Sequence, residues 1–131
     1  MPTTNFMRGM MNARFRILFV VLGVLSGPIA TASEARTLVV NEIQITDAAK
    51  YKEYTDQVPA TLLPFGGAYL VKGGNGSVLS GAALAGRVAI VEFPNRASAL
   101  AWHESAAYQK ILAIRNASST SRVYIVDTVV P

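Results

Sequence analysis

The feature that most narrows the folds open to this chain is the order in which two hydrophobic periodicities follow one another after residue 36. Thr37 to Ile45 is β-branched and partly alternating, the pattern of a strand. Thr46-Asp47 supplies a helix cap, and Ala48, Tyr51, Tyr54, Thr55 and Val58 recur at helical spacing. Pro59 is predicted to kink or end that helix, and Gly66-Gly67 to close it. A short strand, Ala68 to Lys72, then a glycine-rich stretch over 73–86 and a third strand, Arg87 to Phe93, come next. Asn95 caps a second helix with Ala97, Leu100 and Ala101 facing inward. Ser105 breaks and recaps it, and Tyr108, Ile111, Leu112 and Arg115 resume the spacing. Ser121 to Val130 is the last strand. The order β-α-β-β-α-β is that of the ferredoxin-like α+β fold, a four-stranded antiparallel sheet with two helices on one face. The other face needs a cover. A second copy of the chain supplies one, so a homodimer of the α/β-barrel kind is expected.

The first 32 residues have a different character. Arg8, Arg14 and Arg16 precede an apolar run from Ile17 to Leu25, with no acid among them. Ser26, Gly27 and Pro28 end the run, and Ala30-Thr31-Ala32 places small residues where a signal peptidase cuts. The run is too short for a membrane span, which needs about 20 apolar residues. A signal peptide over 1–32 and a single domain over 33–131 are therefore expected, with cleavage before Ser33 or, alternatively, before Arg36. Met7, Met10 and Met11 are alternative starts. The protein is then exported, periplasmic or secreted, with no membrane anchor left after cleavage.

Net charge bears on partners. The chain carries +4, but from Ser33 onward nine basic side chains face eight acidic ones. A body so close to neutrality lacks the clustered cations that displace counterions from nucleic acid, so no nucleic-acid partner is expected. The absence of cysteine excludes disulfides, thiolate metal sites and cysteine nucleophiles.

Few residues can carry chemistry. His103 is the sole histidine, and Glu104 beside it projects from another side of the helix. Glu92 sits within the apolar strand 88–93, where an unpaired charge is costly, and Glu42 occupies the neighbouring first strand. The two carboxylates either act as an acid–base pair or are held by Arg87, Arg115 or Arg122 or by solvent near a strand end. Glu92 and His103 are the candidates for catalysis. The aromatic set Tyr51, Tyr54, Tyr69, Phe93, Trp102 and Tyr108 reads first as core and second as the wall of a ligand pocket. The glycine stretch does not fit a phosphate-binding loop, since Leu79 stands where a third glycine belongs and a strand follows rather than a helix. It reads as a loop between strands, a candidate lid, with Asn75-Gly76 a hairpin-turn signal. No metal-ligand spacing is present, and neither a metal nor a cofactor is expected.

Several segments resemble one family. They are Gly66-Gly67-Ala68-Tyr69-Leu70-Val71-Lys72-Gly73-Gly74, Glu92-Phe93-Pro94-Asn95 and Ala101-Trp102-His103-Glu104-Ser105-Ala106-Ala107-Tyr108-Gln109, with Arg115 and the early pair Tyr51 and Tyr54. The chain is similar to the bacterial family called domain of unknown function 1330. The resemblance implies a ferredoxin-like dimeric α/β barrel, a superfamily that includes cofactor-free monooxygenases, haem-degrading enzymes and plain ligand binders. It supplies no reaction. The chain departs from the family pattern at Lys72, Ser80, Asn95, His103 and Ala106-Ala107, where the family more often has Arg, Glu, Ser, Tyr and Pro-Glu. An export signal is likewise not typical of the family.

Three functions follow as expectations. The first is binding of a small molecule between sheet and helices, by Tyr51, Tyr54, Glu92, Trp102, Tyr108 and Arg115. The alternatives are a non-catalytic structural dimer and a cofactor-free monooxygenase-like enzyme.

Overall fold

The computed structural model describes residues 33–130; the expected signal segment, 1–32, lies outside the described residues. Four strands, β1 (Thr37–Ile45), β2 (Ala68–Asn75), β3 (Arg87–Phe93) and β4 (Ser119–Asp127), form one antiparallel sheet in the order β2-β3-β1-β4. Helices α1 (Ala48–Leu62), α2 (Arg96–Glu104) and α3 (Ala106–Ser118) cover one of its faces. The architecture is the ferredoxin-like α+β fold.

Alternation sorts the two faces. On β1 Thr37, Val39, Asn41 and Ile43 are buried, and on β3 Ala89, Val91 and Phe93. These residues meet Tyr51, Tyr54, Val58 and Leu62 of α1, Ala99 and Trp102 of α2, and Tyr108 and Ile111 of α3 in one core. The opposite face carries Leu38, Val40, Val88 and Ile90, all partly exposed, with Tyr124 and Val126 at 39% and 44% exposure. Nothing among the described residues covers it.

The predicted second helix is two. Ser105 ends α2 and starts α3. Its hydroxyl donates to the Trp102 carbonyl at 2.7 Å and accepts from the Tyr108 amide at 3.3 Å. One serine therefore satisfies groups on both sides of the break. Asp47 caps α1 by accepting from the Lys50 amide, and Asn95 caps α2 by accepting from the Ser98 amide.

Besides the last strand, expected over Ser121 to Val130 and found as Ser119–Asp127 because Ser119 already pairs with Ile45, three sequence expectations need correction. Pro59 does not end α1, which runs on to Leu62 and then into a single 3₁₀ turn, Leu63–Phe65. The proline removes one hydrogen bond to the Thr55 carbonyl, but burial of Val58, Thr61 and Leu62 carries the helix past it. The inward residues of α2 are Ala99 and Trp102, whereas Ala97, Leu100 and Ala101 are exposed. The indole, packed on Phe93 with ring centroids 5.3 Å apart, sets the rotation of the helix. Finally, β2 extends to Asn75, past the predicted end at Lys72, and it is irregular. Its pairing with β3 shifts register between Tyr69 and Val71 and again between Val71 and Gly74.

Candidate functional site

The aromatic residues divide into two places. The first is sealed. Trp102 and Tyr108 are about 1–2% exposed, with ring centroids 3.9 Å apart. The indole Nε1 donates to Thr61 Oγ1 at 3.0 Å. The Tyr54 and Tyr108 hydroxyls lie 3.3 Å apart, and Arg115 Nη1 donates to the Tyr108 hydroxyl at 3.0 Å. Burial, reinforced by Tyr108, holds the Tyr54 phenol far above the ordinary tyrosine range. Arg115 is itself buried and, among the described residues, has no carboxylate partner and an unpartnered Nε. Tyr54, Trp102, Tyr108 and Arg115 thus form a polar-tipped core rather than the wall of an open pocket.

The second place is open. A cleft of about 350 Å³ lies between α1 and the helix-side face of the sheet. Ile43, Ile45 and Ala89 form its floor on β1 and β3, and Ala48, Tyr51, Lys52 and Thr55 its wall on α1. Tyr69, Lys72 and Gly73 of β2 and Arg87 of β3 complete it. The register shift in β2 makes this possible. In a regular strand Tyr69 and Lys72 project from opposite faces, and the irregularity lets both reach the same cleft. Gly73 has φ 67°, a conformation that favours glycine, and an added Cβ would lie 4.0 Å from Arg87 Cδ. The Lys72 ammonium lies 5.5 Å from the centroid of the Tyr69 ring.

Burial pushes the Tyr69 phenol up to about 12. Burial also raises Tyr51, while the Arg115 guanidinium opposes it, as does Arg87 more weakly. Both cleft phenols are therefore neutral hydrogen-bond donors at physiological pH. Lys52 is paired with Asp56 at 2.6 Å, whereas Lys72 and Arg87 have no ion-pair partner among the described residues.

Of the six residues expected to bind a ligand, Tyr51 alone lines the cleft, where it is joined by Tyr69 from the wider aromatic set. Glu92 lies on the other face of the sheet, between the inward-facing Val91 and Phe93, and is paired with Arg36 at 3.0 Å. That partner is none of the three arginines considered for it. Glu42 stands opposite Val88 in the ladder and Glu92 opposite Leu38. Four residues of strand, roughly 13 Å, separate the two carboxylates, too far to share a proton. His103 is half-buried in the last turn of α2, its ring 5.5 Å from that of Tyr108, and does not line the cleft. Sequence reading placed Tyr69 in the aromatic set but missed Lys72, Arg87 and Thr55 as cleft residues. The one signal for them was the basic pair flanking the glycine loop. Among the described residues no three His, Asp or Glu side chains come together to hold a metal ion.

The sheet order, the helix-covered face and an opposite face that no described residue covers define a ferredoxin-like α+β domain. The family model for a domain of unknown function (DUF1330) matches residues 36–129, and the chain belongs to that family. No curated protein matches it. Among solved structures it is similar to RPA0582, a protein of unknown function from Rhodopseudomonas palustris, with 19% identity and a TM-score of 0.62 over 75% of this chain and 85% of that one. It is also similar to SnoaB, a cofactor-independent oxygenase from Streptomyces nogalater, with 13% identity and a TM-score of 0.53 over 73% of this chain and 95% of that one. Both likenesses are of fold.

Proposed function

We propose that this protein binds a small organic molecule in the cleft between α1 and the sheet. One observation carries the reading. An apolar floor, two neutral phenols and unpaired cations converge on a single concavity of ligand size. The described lining residues include no His, Asp or Glu, so the cleft offers no general base titrating near neutrality, and binding without chemistry is the reading it supports. The oxygenase likeness, being one of fold, does not alter this. Thermal-shift screening of a small-molecule panel tests it. Compounds that raise the melting temperature of the native protein are expected to have no effect on Thr55→Trp, whose indole fills the cleft. Equal shifts in both proteins would place binding elsewhere.

Two further parts of the proposal rest on other features. The bare apolar face of the sheet pairs with a second copy of the chain, since an uncovered face of this kind is the usual mark of an interface. The protein is exported, a reading that rests on the basic segment, apolar run and Ala-Thr-Ala site before Ser33. Sequencing the N-terminus of the protein recovered outside the cytoplasm should return Ser33 or Arg36; a start at or before Met11 would contradict export with cleavage.

A further inference from the structure

The charge around the cleft is lopsided in a way the rest of the domain is not. From Ser33 onward nine basic and eight acidic residues nearly balance. Among the described residues Arg36, Lys52 and Arg96 are each tied to a carboxylate, while Lys50, Lys110 and Arg122, outside the cleft, are not, so it is the sign of the lining and not the lack of pairing that sets the cleft apart. The described cleft lining, by contrast, holds Lys52, Lys72 and Arg87 and no acid. Asp56 accounts for Lys52, which leaves Lys72 and Arg87 without an ion-pair partner among the described residues, on the strands that flank the glycine loop. A third cation stands behind the wall. Arg115 is 8% exposed, and among the described residues its hydrogen bonds go only to Tyr108 and Asn116 and its Nε has no partner. A buried guanidinium without a carboxylate is costly to the fold on its own. Arg115 and Arg87 both exert a charge effect on the Tyr51 phenol, so the cleft wall between them sits in a positive field. A second orphan lies beside the floor. Asn41, opposite the floor residue Ala89 in the ladder, has a buried Oδ1 with no partner among the described residues.

We propose that the cleft selects a small organic anion, an acid with a flat or chain-like apolar body. Its carboxylate sits between Lys72 and Arg87, and its body lies on Ile43, Ala89 and the rings of Tyr51 and Tyr69. The inference rests on the cleft being the ligand site and adds the chemical class of the ligand. Arg87 offers a planar fork matched to a carboxylate, Lys72 a mobile point charge, and the protonated phenols donate to the same oxygens. The apolar floor accounts for the body, and it separates this site from one for inorganic phosphate, which has no apolar part to bury.

Isothermal titration calorimetry on protein purified from expression of the full sequence tests the assignment. Two matched pairs serve as probes: 1-naphthoate with 1-naphthamide, and hexanoate with hexanamide. The members of each pair share a body and differ in charge. At least one acid is expected to bind at least about tenfold more tightly than its amide, an advantage that weakens with salt. In Arg87→Gln and Lys72→Gln, both at exposed positions, the acid-over-amide ratio should collapse toward one. Amides that bind as well as their acids overturn the anion assignment and leave the cleft reading standing. A ratio unchanged in both variants overturns the roles of Lys72 and Arg87. If neither acids nor amides bind, both the assignment and the cleft reading fall.

Discussion

Glu92 shows how far one side chain's direction governs a functional reading. In sequence it is an acid in an apolar strand, which suggests a charge held for chemistry. In the structure the same alternation that buries Val91 and Phe93 turns Glu92 to the opposite face, where Arg36 meets it. The two side chains are 24% and 57% exposed, so the pair contributes at most about 1 kcal/mol. Glu92→Gln should therefore leave ligand affinity in the cleft within about twofold and lower stability by less than about 1 kcal/mol. A large loss of binding in calorimetry would return Glu92 to the site. The tyrosines give a second prediction. Tyr51, Tyr54 and Tyr69 are held protonated by burial, with Tyr69 pushed up to about 12, while the unfolded chain ionises them near pH 10. Their folded values are raised, so the stability tied to them is full below about pH 10 and is lost as pH climbs toward and through about 12. Urea midpoints should hold steady to about pH 9 and then fall; a flat profile to about pH 12 would contradict this burial.

At the scale of elements, the sequence displayed the periodic segments well and the irregular ones poorly. Strand and helix identities followed from the 2.0 and 3.6 spacings, and Ser105 was recognisable as a break because serine serves both helix ends. The rotation of α2 was not, since small residues at 97, 100 and 101 show no clear face until Trp102 finds Phe93. The cleft was hidden for a related reason. Strict alternation sends Lys72 to the face opposite Tyr69, and only the shifted register of β2 brings the two together. The start of β3, which aims Arg87, depends on a close approach that only glycine allows. A Cβ on Gly86 would clash with the Ile43 carbonyl oxygen, a backbone atom in the adjoining strand. Gly86→Ala should therefore cost about 1–3 kcal/mol or more. Gly81→Ala meets no atom within 4 Å and should cost only about 1 kcal/mol of backbone strain from its positive φ. Chemical denaturation of the two variants compares them; equal losses would contradict the close approach.

At the scale of the whole molecule, the sheet has one face packed on helices and one that no described residue covers. Leu38, Val40, Val88, Ile90, Tyr124 and Val126 give the bare face an apolar centre. The proposed dimer buries it, and sedimentation equilibrium at micromolar concentration should report two chains. Val126→Lys, at a position 44% exposed in the single chain, should fold normally and sediment as one. A native protein that is monomeric throughout would contradict the pairing. The cleft lies on the helix side of the sheet, so dimer formation and ligand binding are separable, and Val126→Lys should still bind ligand.

The tyrosines also provide the most direct test of where ligand sits. There are five in the chain: Tyr51 and Tyr69 in the cleft, Tyr54 and Tyr108 in the sealed core, and Tyr124 on the bare face of the sheet. A carbon-13 tyrosine-labelled sample titrated with 1-naphthoate reads all three places in one NMR spectrum. The account predicts that the rings of Tyr51 and Tyr69 shift most, with Tyr108 and Tyr124 nearly still. A spectrum in which Tyr108 or Tyr124 moves most, or in which no ring moves, would contradict it.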